Sequence, residues 1–194
     1  MLSLISLSIV REGRNRKKKL AMAETYNNLP PVLDACCGSR AFWFDKKDRR
    51  ALFVDIRRET IEQPRADGPR SPVVVDPDEL ADFTRLPFAD GSFSLVVFDP
   101  PHLIRKPTGN VLAYYGALTG DWRETLRQGF AECFRVLKPD GTLIFKWAET
   151  AIPISQVLRL TPERPLFGHK SGKLNRTHWV AFIKDSPAHG SPRG

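Results

Sequence analysis

Short apolar runs that stop on an acid recur along this chain. Pro31-Val32-Leu33-Asp34, Ala51-Leu52-Phe53-Val54-Asp55 and the run from Phe93 to Phe98 followed by Asp99 share that pattern. Near-continuous apolar runs of this length predict strands covered on both faces, as in a parallel sheet. The first run enters the small-residue turn Ala35-Cys36-Cys37-Gly38-Ser39, and Phe42-Trp43-Phe44 beyond it predicts a short helical turn packed on the sheet. Residues 57–72 are polar and carry Pro64, Gly68, Pro69 and Pro72, which predicts a loop in place of a crossover helix. Two segments compete for a third strand, Val73-Val74-Val75 and Asp78 to Phe83 with Asp82 at its end, and periodicity does not separate them. Leu86 to Phe93 is turn chemistry leading into the strand that ends at Phe98.

Past His102, residues 103–120 hold no sustained period, which predicts a long lid or substrate loop. Leu126, Phe130, Phe134 and Leu137 then fall on one helical face, opened by Asp121-x-x-Glu124 as a capping box and closed by Lys138-Pro139-Asp140-Gly141. Thr142 to Trp147 predicts a further strand. Pro165-Leu166-Phe167 and Thr177 to Ile183 predict an antiparallel pair, with Gly168 to Arg176 as a mobile basic loop between them.

Composition narrows the class. At 194 residues, 41% hydrophobic and 27% charged, the chain suits one globular domain with a sizeable core. No apolar run reaches the ~18 residues of a helical membrane span, so no membrane partner is expected. Three cysteines make no disulfide framework, and adjacent Cys36-Cys37 with scattered histidines lacks zinc-site spacing. A reducing, cytoplasmic setting without a structural metal is the expectation. The net charge is +8, and residues 1–21 hold six basic side chains against Glu12 alone. Met1 to Val10 is apolar and precedes that run, the reverse of a secretory signal. Residues 1–21 therefore read as a disordered basic extension, with Met22 as an alternative start and an arm on nucleic acid as the functional alternative. Residues 22–184 form the expected domain, and 185–194 a disordered tail.

Candidate chemistry gathers where strands end, since ligands of open α/β sheets sit at carboxyl ends. Asp99-Pro100-Pro101-His102 presents a carboxylate, a stiff turn and an imidazole together, because two prolines cannot continue a central strand. An ordinary Asp-Pro turn is the plain alternative. Asp55 lies about twenty residues past the first turn, where an acid meets ribose hydroxyls in dinucleotide sites.

Together these pieces resemble the class I S-adenosylmethionine-dependent methyltransferases, in detail the small phage- and prophage-type members, over residues 30–184. The resemblance rests on Val32 to Gly38, Asp55, Ala81-Asp82-Phe83 with Leu86-Pro87-Phe88, Asp99 to His102, and Phe134 to Gly141 with its following strand. It implies an α/β, Rossmann-like fold with a mostly parallel seven-stranded sheet whose last strand is antiparallel. Two departures stand out: a first turn with one glycine where many members have more, and early crossovers too short for full helices.

The resemblance also implies the chemistry: methyl transfer to a planar amino nitrogen, most often adenine N6, here in DNA. Asp99 and the Pro100 carbonyl would accept the amine hydrogens, Pro101 would stiffen the turn, and His102 would stack on the extruded base in place of the commoner Tyr, Phe or Trp. Asp34, Ala35, Cys36 and Gly38 would hold the methionine end of S-adenosylmethionine, Asp55 the ribose, and Asp82 with the Phe83 N–H the adenine edge. Lys106, Tyr114, Tyr115, His169, Lys170, Lys173 and Arg176 are the substrate-binding candidates. RNA, a protein amide or a small molecule are alternative acceptors, and a basic nucleic-acid-binding protein without turnover is the non-enzymatic alternative.

Overall fold

The computed structural model describes residues 28–63, 70–103, 116–118, 120–172, 174 and 176–186. The expected extension 1–21, Met22 and residues 187–194 of the expected tail lie outside them. In chain order the elements are β1 (Val32–Asp34), β2 (Ala51–Asp55), β3 (Glu59–Gln63), β4 (Arg70–Val75), β5 (Glu79–Leu80), β6 (Phe93–Phe98), α1 (Trp122–Val136) and β7 (Leu137–Ala148), then α2 (Ile154–Val157) with a 3-10 turn at Leu158–Leu160, β8 (Phe167–Ser171) and β9 (Thr177–Ile183).

Among the described residues the main sheet has seven strands in the order β5-β2-β1-β6-β7-β9-β8. β1, β2, β5, β6 and β7 pair in parallel, while β9, the last strand, runs antiparallel to both β7 and β8. This is the expected mostly parallel α/β sheet. The chain moves outward from β1 to β2 and β5, then returns to β6 on the other side of β1. That reversal opens a crevice beyond the carboxyl ends of β1 and β6.

The two faces of the sheet are covered unequally. Leu33, Val54, Val96, Phe98, Leu143 and Phe145 face a continuous core built with α1 and the 86–93 segment. α1 buries the predicted Leu126, Phe130 and Phe134 on one side, together with Cys133. Gly129 lets it sit close: a Cβ there would lie 2.7 Å from Phe98 and 2.8 Å from Phe83. Arg135 ties this layer together, donating to the Phe88 and Leu86 carbonyls and to Asp90, while Glu132 accepts from the Leu86 N–H. The opposite face carries a smaller cluster of Cys37, Ala51 and Phe53, with Val32 and Trp43 against it.

Several local expectations are corrected. The 57–72 segment is not a plain loop, because β3 and β4 pair antiparallel as a hairpin separate from the main sheet. Both third-strand candidates are strands: Val73–Val75 belongs to that hairpin, and Glu79–Leu80 forms the sheet edge. β5 stops before Asp82, which sits in the next turn. Phe42-Trp43-Phe44 makes turns rather than a helical turn. Leu137 caps α1, its N–H donating to the Cys133 carbonyl, and opens β7 directly, so the helix ends before Lys138-Pro139-Asp140-Gly141. The capping box is half made: Asp121 accepts from the Arg123 and Glu124 N–H groups, while Glu124 bonds Arg127 and Gln128 instead of reaching back. His169 and Lys170 lie in β8, paired with Trp179 and His178, so the basic loop is shorter than expected. Among the described residues no helix is long and apolar enough to cross a membrane.

Candidate active site

A cavity of about 230 Å³ opens at the crevice between β1 and β6. Its wall includes Ala35 to Ser39, Phe42, Asp55, Arg57, Phe83, Asp99, Pro101 and Lys146. Sequence dictates this placement through three parallel strands that each end on an acid. Asp34, Asp55 and Asp99 close β1, β2 and β6, and the observed register brings the three carboxylates to one edge.

They differ in environment. Asp34 is fully buried, accepts from the Trp43 indole N–H at 2.7 Å and the Cys36 N–H at 3.3 Å, and does not line the cavity. Burial pushes its carboxyl up to about 7 against those two bonds. Asp55 does line the cavity; it accepts from the Gly38 N–H at 2.9 Å and the Arg57 N–H at 2.9 Å. Gly38 has φ +50°, and a Cβ there would meet nothing within 4 Å, so the turn leaves open space beside Asp55.

The N–H groups of the first turn are engaged within the protein. The Ala35, Cys36, Cys37 and Gly38 N–H groups donate to Val97 O, Asp34 Oδ1, Val54 O and Asp55 Oδ2. Phe83 lines the cavity and packs edge-on against Phe98 at 5.3 Å. Asp82 is exposed; its carboxylate caps the following turn through the Thr84 N–H and hydroxyl, both at 2.8 Å.

Asp99 is about one-fifth exposed, and the Lys146 ammonium donates to its Oδ2 at 2.5 Å. Burial raises its pKa, opposed first by Lys146 and then by His102. Burial likewise holds the His102 imidazole below its usual range. Its ring meets Trp147 edge-on at 6.4 Å. Pro100 is buried, and Gly116 returns against Pro101, where an added Cβ would sit 3.4 Å from its ring. The Leu118 N–H donates to Leu103 O, which ties the two ends of the long loop. Lys106, Tyr114, Tyr115 and Lys173 lie outside the described residues. His169, Lys170 and Arg176 are exposed and do not line the cavity. They stand at the same end of the sheet, because Ala148 pairs with Thr177 and Thr177 with Ser171.

From sequence neither Arg57 nor Lys146 is placed at the site, and Phe42 enters only as part of a packed turn. Lys146 interrupts the apolar run Leu143 to Trp147, and that lone cation was the available signal.

No protein-family model and no curated protein matches this chain. Solved structures do. The PH0226 protein from Pyrococcus horikoshii OT3 superposes with a TM-score of 0.50 at 18% identity, over 90% of this chain and 91% of that one. The N-methyltransferase NodS from Bradyrhizobium japonicum WM9 also gives 0.50, at 14% identity, over 90% and 97%. The chain has a methyltransferase fold. At these identities only the fold is shared. Among the described residues no helix stands between β1 and β5, and the Phe42–Trp43 turn covers the sheet there: Trp43 packs on Phe53 at 4.8 Å and Phe42 on Trp179 at 5.5 Å.

Proposed function

We propose that this protein is an S-adenosylmethionine-dependent methyltransferase acting on an exocyclic amino nitrogen, with adenine N6 in DNA as the acceptor. The observation that carries this reading is Asp99, a carboxylate fixed by two prolines at the wall of the cavity that Asp55 and Phe83 also line. The residues present fit the cofactor. Asp55 is an acceptor for ribose hydroxyls, the Gly38 turn leaves room beside it, and Phe83 offers a ring to an adenine. When bound, S-adenosylmethionine supplies an electrophilic methyl group on a sulfonium.

The remaining work belongs to the chain. An exocyclic amine is a poor nucleophile because its lone pair is delocalised into the ring. Asp99 Oδ1 and the Pro100 carbonyl would each take one amine hydrogen, favouring the pyramidal nitrogen. Hydrogen bonds to a charged acceptor contribute about 1.5–3 kcal/mol, and those that strengthen as positive charge develops lower the barrier. Asp99 then takes the proton that the methylated nitrogen releases. A neutral His102 ring would stack on the base, consistent with the burial that disfavours its imidazolium.

The test is incubation with labelled cofactor and DNA, RNA or lysate protein, where label in DNA adenine is expected and label in protein alone would overturn the DNA reading. Cofactor should raise the melting temperature by linkage. Asp55→Asn keeps one acceptor oxygen for the Gly38 N–H, and should weaken cofactor binding about 10- to 100-fold by calorimetry, the loss of one charge-assisted bond. Unchanged affinity would remove Asp55 from the site.

The basic residues at the same sheet end are proposed to meet phosphate. Replacing Lys170 and Arg176 with Gln should lower the slope of log affinity against log salt by about one per lost contact. An unaltered slope would return both to the exposed surface of an edge hairpin.

A further inference from the structure

Lys146 enters the cavity from β7, on the sheet face opposite the main core. Its ammonium donates to Asp99 Oδ2 at 2.5 Å, and it lies 5.4 Å from the centre of the Phe42 ring and 5.7 Å from that of Trp179. The cation thus sits beside a pair of aromatic rings that pack edge-on against one another. Rings placed this way hold a cation without competing for the carboxylate. Among the described residues only Lys146 donates to the Asp99 carboxyl, which leaves Oδ1 available at the cavity wall.

We propose that Lys146 is the positioning residue of the acceptor site: it keeps Asp99 ionised and turned so that Oδ1 alone faces the target amine. This rests on the methyl-transfer reading above and deepens it. The charges facing Asp99 support it. From the end of β1 comes Asp34, from the following turn the Cys36 thiol, from its own turn His102, and from β7 Lys146. Asp34 opposes ionisation of Asp99 whenever it is itself charged, and His102 favours it only as the imidazolium, which burial disfavours. Lys146, in direct contact with the carboxyl and the larger of the two cationic influences, is therefore the group among these four that favours the carboxylate most. A protonated Asp99 would offer a donor where the amine also needs an acceptor, so the pair decides whether the site works. The aromatic seat explains why a lysine stands here: it holds the ammonium on one carboxyl oxygen and away from the other.

The experiment follows the Asp99 carboxyl carbon by NMR titration in the full chain, alongside the pH dependence of methylation, in wild type, Lys146→Met and Lys146→Arg. Removing an opposite charge at hydrogen-bond distance raises a carboxyl pKa by about 1–3 units. Lys146→Met should therefore move both the titration and the acidic limb of the rate profile to higher pH, by about one unit or more. Lys146→Arg should bring both back towards wild type, a rescue that a packing role would not produce. Should Lys146→Met fail to fold, Lys146→Gln provides the neutral variant. Coincident Asp99 titrations in the neutral variant and wild type would overturn the proposal, as would an arginine variant that behaves like the neutral one. The methyl-transfer reading fails separately: wild type would then transfer no label, while the Asp99 titration still reports on Lys146.

Discussion

Asp99→Ala is expected to abolish methyl transfer while cofactor affinity stays within a few-fold of wild type. The carboxylate position is set by the end of β6 and two prolines, and Asp99 lines the cavity. Alanine removes both acceptor oxygens and leaves the Lys146 ammonium without its partner, so that variant also loses stability. Asp99→Asn is the cleaner change. Its amide oxygen still accepts one hydrogen bond without charge, and the rate should fall about 10- to 100-fold, the loss of a charge-assisted bond. The pH profile gives a second readout. Burial raises the Asp99 pKa, so the wild-type rate should fall with acidification at a pH above the usual aspartate range. In Asp99→Asn that limb should disappear, because no carboxyl remains to titrate. Wild-type rates in both variants would place the acceptor elsewhere, and loss of cofactor binding in both would assign Asp99 to the cofactor site.

Phe98→Ala should cost about 3–5 kcal/mol of folding stability, the usual range for truncating a core phenylalanine. Phe98 is fully buried in the central strand and touches Phe83, Phe130 and Phe145 with ring centres 5.3, 5.5 and 5.8 Å away. α1 approaches it over Gly129, so helix and strand backbones hold the space open and the cavity cannot close easily. A denaturant series should show a lower midpoint at an unchanged slope. Cofactor affinity should fall as well, since Phe83 lines the site and leans on this ring. A loss below about 1 kcal/mol would mean that the layer between α1 and β6 collapses to fill the void.

The chain's own chemistry made much of this legible. Apolar runs ending in Asp34, Asp55 and Asp99 marked the three strands that carry acids to the cavity, because only a strand buried on both faces tolerates such a run and only its end admits a carboxylate. The α1 stripe and its Asp121 cap were likewise written locally, in spacing and in one side chain. The β3–β4 hairpin was hidden because Glu59–Gln63 has no apolar period, and its partner Val73–Val75 reads equally well as a sheet strand. His169 and Lys170 looked like loop because an edge strand needs little apolar character; pairing with Trp179 and His178 makes them strand. Asp82 was placed by a strand that stops two residues early, its carboxylate taken up by Thr84.

Cys36 donates to nearby Asp34, whereas the occupied N–H groups of Ala35, Cys37 and Gly38 and the Lys146–Asp99 pair were beyond any local pattern. Each joins residues far apart in sequence, Ala35 to Val97, Gly38 to Asp55 and Asp99 to Lys146. Periodicity says which face a side chain takes, but not what stands across from it. The sequence by itself determined β1, β2 and β6 with the acids at their ends, and the amphipathic α1. Only the tertiary structure decided which of those acids meets a cation, because parallel register between β6 and β7, which sets Phe98 beside Phe145, carries Lys146 to Asp99.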